Sequence, residues 1–196
     1  MTASLVRLPG RGQTRRILTA AAAKLFTRHG YAGTSLQMIA DEVGITKASV
    51  YHHFRTREEL LFAVVEPLLT EVRTIVDEAE LLRGRHSRAG HLLAGYTRLA
   101  VRNRPLFPAV SADPSVGKVL RGRPDVHELV ARQMKLLADV DPGPAGRIKA
   151  SLVLSGIAGA VGPGTEHIEA DVLRHQLVES GRRLLGLRGP GHGGSA

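Results

Sequence analysis

The 196-residue chain is 43% apolar and 23% charged, ordinary for a globular protein and long enough to bury a core without cross-links. It has no cysteine, which excludes thiol catalysis, thiolate metal sites and a disulfide framework. The net charge of +9 is uneven: nine of the 27 basic and four of the 18 acidic residues precede residue 66, as expected where one end meets a polyanion.

The basic opening, MTASLVRLPGRGQTRR, has no apolar run of secretory length, and no stretch reaches the roughly 18 apolar residues of a membrane span. A cytoplasmic location is the expectation. Residues 1–13 read as a flexible basic arm; Arg7, Arg11, Arg15 and Arg16 are either solvated or reach phosphates or a minor groove. Helical periodicity then recurs between Gly and Pro breaks, with no alternating β runs, so the fold class is all-α. The first helix is expected over Thr14–Arg28, with Ile17, Ala21, Leu25 and Phe26 inward and Gly30 at its left-handed close.

A short second helix spans Ser35–Val43, with Leu36, Ile39, Ala40 and Val43 inward, and Gly44 and Ile45 make a turn. A third covers Lys47–Phe54. Thr56 and Glu59 form a capping-box pattern for a fourth helix running to about Leu81, bent at Pro67. Arg83–Arg88 reads as a loop and Ala89–Arg102 as a helix. The proline-rich Arg104–Pro114 has room only for short turns. Helices follow over Asp125–Val140, Arg147–Val161 and Ile168–Leu187, and residues 188–196 read as a disordered tail.

Two short helices joined by a tight Gly-containing turn and braced by a third make a helix-turn-helix unit, here residues 14–58. Ala40 is small where the helices approach, and Gly44 permits the backbone sign of a sharp turn. Ile45 and Val50 anchor the third helix. That leaves Thr46, Lys47, Ala48, Ser49, Tyr51, His52 and His53 facing outward, a short, polar, cationic set suited to a major groove. Adjacent histidines point about 100° apart on a helix, so His52 and His53 do not readily share a metal ion.

The run GYAGTSLQMIADEVGITKASVYHHFRTREELLFAVVE resembles the N-terminal domain of TetR-family transcriptional regulators. The family pattern matches at Ile39, Ala40, Gly44, Ile45, Val50, Tyr51, His53, Phe54, Thr56, Glu58 and Leu60; Arg57 stands where lysine is usual. Upstream, ILTAAAAKLFTRHGYAGTS is similar to the family's first helix. The resemblance implies that Thr34 and Ser35 contact phosphate at a helix N-terminus. It implies that Gln37 faces base or phosphate and that Thr46, Lys47, Ala48 and Ser49 face base edges. Tyr51, His53 and Arg57 are then phosphate clamps, and His52 serves either role. A core-edge position is the alternative for Tyr51.

The resemblance further implies that residues 59–187 form a helical domain that dimerises and holds a small ligand, with the fourth helix as the lever between domains. Ser151, Ser155 and Gly159 recur at four-residue spacing beside Gly156 and Ala160, which lets helices approach closely. Leu152, Ile157, Leu173, Leu177, Val178 and Leu184 supply apolar area; packing within one subunit is the alternative. Candidate pocket residues are Leu92, Tyr96, Leu99, Phe107, Val110, Met134 and Leu152, each equally readable as core. The few aromatic side chains favour an aliphatic ligand. GIAGAVGPG is no phosphate loop, having no preceding strand and no following lysine.

Nucleophile–base pairs, paired carboxylates and metal-ligand clusters do not stand out, so no enzyme activity, cofactor or metal is expected. The expected partners are a near-palindromic DNA duplex, a second copy of the chain and a small-molecule effector. The competing reading is a DNA-binding accessory protein whose body takes a protein partner. A buried pocket of about 300 Å³ or more separates the two.

Overall fold

In the computed structural model the described residues are 10–162 and 164–187, all of whose regular elements are helices. The expected arm residues before Gly10, Arg7 among them, and the expected tail from residue 188 lie outside them. The first helix, α1, spans Arg11–His29 and so takes in the end of the expected arm; Arg15 and Arg16 are helical. Its inward stripe is Thr14, Leu18, Ala22, Leu25 and Phe26: Leu25 and Phe26 are buried as expected, while Leu18 and Ala22 take the places expected for Ile17 and Ala21. Ile17 is 37% exposed. α2 (Leu36–Val43) begins after Ser35, whose hydroxyl accepts from the Met38 N–H. Gly44 closes it at φ 75°.

α3 (Lys47–His53) is capped by Thr46, whose hydroxyl accepts from the Ser49 N–H. α4 (Arg57–Leu81) starts as the capping pattern predicts. Thr56 Oγ1 accepts from the Glu59 N–H, and the Glu59 carboxylate turns back to the Arg55 N–H at 2.7 Å. Pro67 lies within this unbroken 25-residue helix.

Two expectations fail beyond α4. α5 (Arg85–Arg102) takes in most of the presumed loop, starting after Gly84, whose φ of 85° turns the chain. After the short α6 (Phe107–Ser111) comes an unforeseen helix, α7 (Pro114–Arg121). Its proline sits at the first helical position, where no N–H is needed, and Asp113 caps it. A proline at the first position, without a side-chain cap, also starts α8 (Pro124–Ala138) and α9 (Pro144–Ala160). α10 covers Ala170–Leu185. No helix among the described residues is long and apolar enough to cross a membrane.

The buried residues form two clusters. One joins α1 to the first half of α4, centred on Phe26, Ile39, Val50, Phe54 and Leu61, and includes Val110 and Val116 from α6 and α7. The other joins the second half of α4 with α5, α8, α9 and α10. Leu68 and Leu69 touch both. The body is therefore not hung from α4 alone: α6 also packs on α1.

Candidate nucleic-acid interface

Val50 and Phe54 are fully buried on the inner side of α3, and Ile45 packs against the same cluster. This pins the helix by one side. Lys47, Ala48, Tyr51 and His52 are exposed, as is Thr46 at its start; Ser49 and His53 are half-buried. Lys47 and Tyr51 lie one turn apart on one face, the ammonium 5.8 Å from the ring centroid. The His52 and His53 rings lie edge to face with centroids 6.3 Å apart, and no cluster of potential metal ligands occurs among the described residues. The C-terminal end of α3 is held by Arg15, which donates to the His53 carbonyl at 3.0 Å and lies 4.2 Å over the Phe54 ring. Read from sequence as an arm cation, Arg15 is a strut.

At the start of α2 the candidates part company. Ser35 is exposed, and Gln37 projects outward while donating to Asp41 at 2.8 Å. Thr34 is fully buried, its hydroxyl donating to the Gly30 carbonyl at 2.8 Å, so that hydroxyl is not presented to a phosphate. Arg57 is also turned inward. Its Nη1 donates to the carbonyls of Tyr31, Ala32 and Thr34 at 3.1–3.3 Å, and its guanidinium lies 4.4 Å over the Tyr31 ring. The three carbonyls belong to the α1–α2 turn, so Arg57 fastens that turn to α4. In this structure the Nη1 hydrogen bonds of Arg57, expected from the resemblance to be a phosphate clamp, go to the chain itself.

Tyr31 carries a second link that the sequence reading missed. Its N–H donates to the Asp113 carboxylate at 3.2 Å, and its hydroxyl to Glu58 at 3.2 Å. Burial pushes the Tyr31 phenol above its ordinary value, against the opposing pull of Arg57. Burial works against the Asp113 anion, but hydrogen bonds from Ser115 and the Tyr31 N–H hold its carboxyl below the usual range. The cap of α7 is thus tied to the turn that leads into α2 and α3.

A cavity of about 470 Å³ lies among α4, α6, α7 and α8. Of the expected lining, Tyr96, Phe107 and Val110 are there, the two rings edge-to-face at 5.4 Å. Leu92 and Leu99 are fully buried in the body core instead. Met134 lines a separate surface recess between α8 and α9. Leu152 is 54% exposed on the outer face of α9. The missed lining comes from α4 (Val65, Leu68, Leu69, Val72) and from α7 and α8. Burial pushes the Tyr96 phenol up to about 12, so it stays protonated.

On α9 and α10 the small-residue stripe faces outward: Ser151, Ser155 and Gly159 are exposed, with nothing within 4 Å of the Cβ sites of Gly156 and Gly159. Ile148, Leu152, Val172 and Leu184 are large apolar residues exposed on the same two helices. Leu177 is half-buried. Leu173 points the other way, 5% exposed in the body core, and is unavailable to a partner.

The family model for bacterial regulatory proteins of the tetR family matches residues 18–64, which span most of α1 through the first turns of α4. The HTH-type transcriptional regulator YhgD of Bacillus subtilis is 32% identical over 65 residues, 33% of this chain and 34% of that one. The HTH-type transcriptional repressor KstR2 of Mycobacterium tuberculosis is 38% identical over 76 residues, 36% of this chain and 38% of the relative. The chain thus spans about a third of the length of the curated relatives it matches. In three dimensions the likeness is longer. The solved structure of the ketosteroid transcriptional regulator KstR2 superposes with a TM-score of 0.68 over 92% of this chain and 95% of that one, at 19% identity, a likeness of fold alone. Residues 18–64, on the helices that present Lys47 and Tyr51, thus carry the signature of the tetR family of bacterial regulatory proteins, and the body behind them shares its fold with the solved KstR2 structure.

Proposed function

We propose that this chain binds operator DNA as a homodimer and acts as a transcriptional repressor, released when a small molecule occupies the pocket beside α4. The observation that carries the reading is the one-sided burial of α3: Val50 and Phe54 lock it to the core while Lys47, Ala48, Tyr51 and His52 stand free. Base edges are met by Thr46, Lys47, Ala48 and Ser49, and phosphates by Ser35, Tyr51 and His53. Selection of bound duplexes from a random pool, with the full chain, tests this. The expected product is a near-palindrome whose half-sites repeat at roughly 34–36 Å or a multiple. No enrichment, or a lone half-site, overturns it.

Lys47→Ala is expected to relax preference at one base pair of each half-site, by about 1–3 kcal/mol of discrimination. A loss equal across all sequences would assign Lys47 to phosphate instead.

Two-fold pairing supplies the second recognition helix, and the exposed apolar and small residues of α9 and α10 are the surface suited to it. Leu152→Arg buries a charge in that contact. The expected outcome is a monomer in light scattering that loses the palindrome's affinity; an unchanged dimer places the interface elsewhere.

The pocket reaches the DNA unit by two routes. Val65, Leu68, Leu69 and Val72 of α4 line it, and α4 continues back to Arg57. Phe107, Val110 and Ser111 of α6 also line it, and α6 leads to Asp113 and so to Tyr31. A ligand that prefers one arrangement of these helices shifts the spacing of the two α3 helices by its differential affinity. The cavity of about 470 Å³, walled by apolar side chains and open at the edge near Arg121 and His127, has room for a small ligand and supports this reading over that of an accessory protein without an effector.

A further inference from the structure

The pocket has an apolar wall and one buried polar side chain with nothing to bind. Gln133 of α8 is 6% exposed, lines the cavity, and its Nε2 has no hydrogen-bond partner among the described residues. A buried amide without a partner is costly, and the cost is removed when a ligand supplies an acceptor. Its surroundings limit what that acceptor belongs to. Leu69, Phe107 and the Tyr96 ring offer hydrocarbon, and no charged side chain shares the burial of Gln133 in the lining. A carboxylate there would be desolvated without a counter-charge, whereas a neutral carbonyl would not. Exposed Arg121 and His127 also line the cavity, and Arg121 has no carboxylate partner among the described residues. An anionic group is welcome at that edge.

We infer that the effector is an apolar carbonyl compound with an anionic end: its carbonyl oxygen accepts from Gln133 Nε2, and its anion sits at the exposed edge beside Arg121. This rests on the ligand-responsive reading above and gives that ligand a chemical class. Apo Gln133→Leu replaces the orphaned amide with a side chain of similar size and is expected to melt higher than the wild type.

The test uses the full-length protein in calorimetry and thermal shift with three probes of equal chain length. These are decanoate, 2-decanone and a set of oxodecanoates with the carbonyl at successive positions. The best oxodecanoate is expected to bind about tenfold more tightly than decanoate. Gln133→Leu, or Gln133→Met should leucine disturb folding, is expected to erase that advantage while still binding decanoate. Arg121→Gln is expected to erase the advantage of the oxodecanoate over 2-decanone. A wild type that binds the three classes alike, or a Gln133 variant that keeps the preference or melts lower, overturns the inference but leaves a ligand-responsive regulator standing. Failure of every probe to bind overturns it too. The regulator reading is then judged separately, by whether the protein selects duplex DNA.

Discussion

Phe54→Ala is expected to remove about 3–5 kcal/mol from the stability of the DNA-binding unit and to abolish operator binding, while the body stays folded. Phe54 is fully buried at the closing end of α3, beneath the Arg15 guanidinium and in one cluster with Val50, Leu61 and Phe26. Truncation leaves a cavity there and removes the ring over which Arg15 lies while it holds the His53 carbonyl. Both ends of the damage fall on the recognition helix. The body core on α5, α8, α9 and α10 is a separate cluster and does not include Phe54. Denaturant unfolding should show an early transition absent from the wild type, with an unchanged dimer by light scattering below it. A loss under about 1 kcal/mol, or retained operator affinity, would mean that α3 is held by something other than its buried side.

Arg57→Ala is expected to cost about 2–3 kcal/mol, because one charged group satisfies three carbonyls of the α1–α2 turn. Its effect on DNA binding should be indirect. An arginine that neutralised a phosphate would, on removal, lower the slope of log affinity against log salt by about 0.9. Here the slope should be unchanged when measured where the variant remains folded, with the midpoint of unfolding lowered instead. A reduced slope with unchanged stability would restore Arg57 to the phosphate contacts.

Arg57 also illustrates what a family pattern conveys. The pattern establishes that a cation belongs at this position after α3, and α4 does begin there with Thr56 as its cap. Whether that cation faces a phosphate or a carbonyl depends on the path of the α1–α2 turn, which comes from residues some 25 positions away. Thr34 differs: its type suits an N-terminal phosphate contact, but its hydroxyl donates to the Gly30 carbonyl only four residues back, a local contact. Local spacing places a residue on an element; long-range packing chooses what its side chain meets.

The pocket was less legible than α3. Helical periodicity marks a position as inward but does not distinguish a wall of a cavity from solid core, so Leu92 and Leu99 were indistinguishable from Phe107 and Val110. The helix that closes the cavity, α7, is hidden in the sequence because Pro114 reads as a break. Asp113 followed by Pro114 and Ser115 is a helix start, with the cap and the proline each where the backbone needs it.

By itself, the order of residues determined that the chain is helical, that α2, Gly44 and α3 form a helix-turn-helix unit, and that Lys47, Ala48, Tyr51 and His52 lie on the outer side of α3. These are local matters of period, cap and turn, set within a few residues of one another. The tertiary structure alone decided that Arg57 Nη1 meets the carbonyls of the α1–α2 turn and that Arg15 braces α3. It also joined Asp113 to Tyr31 and left Gln133 facing a cavity. Each of these depends on which backbone group or ring lies across the packed interface, and that is fixed only when distant helices meet.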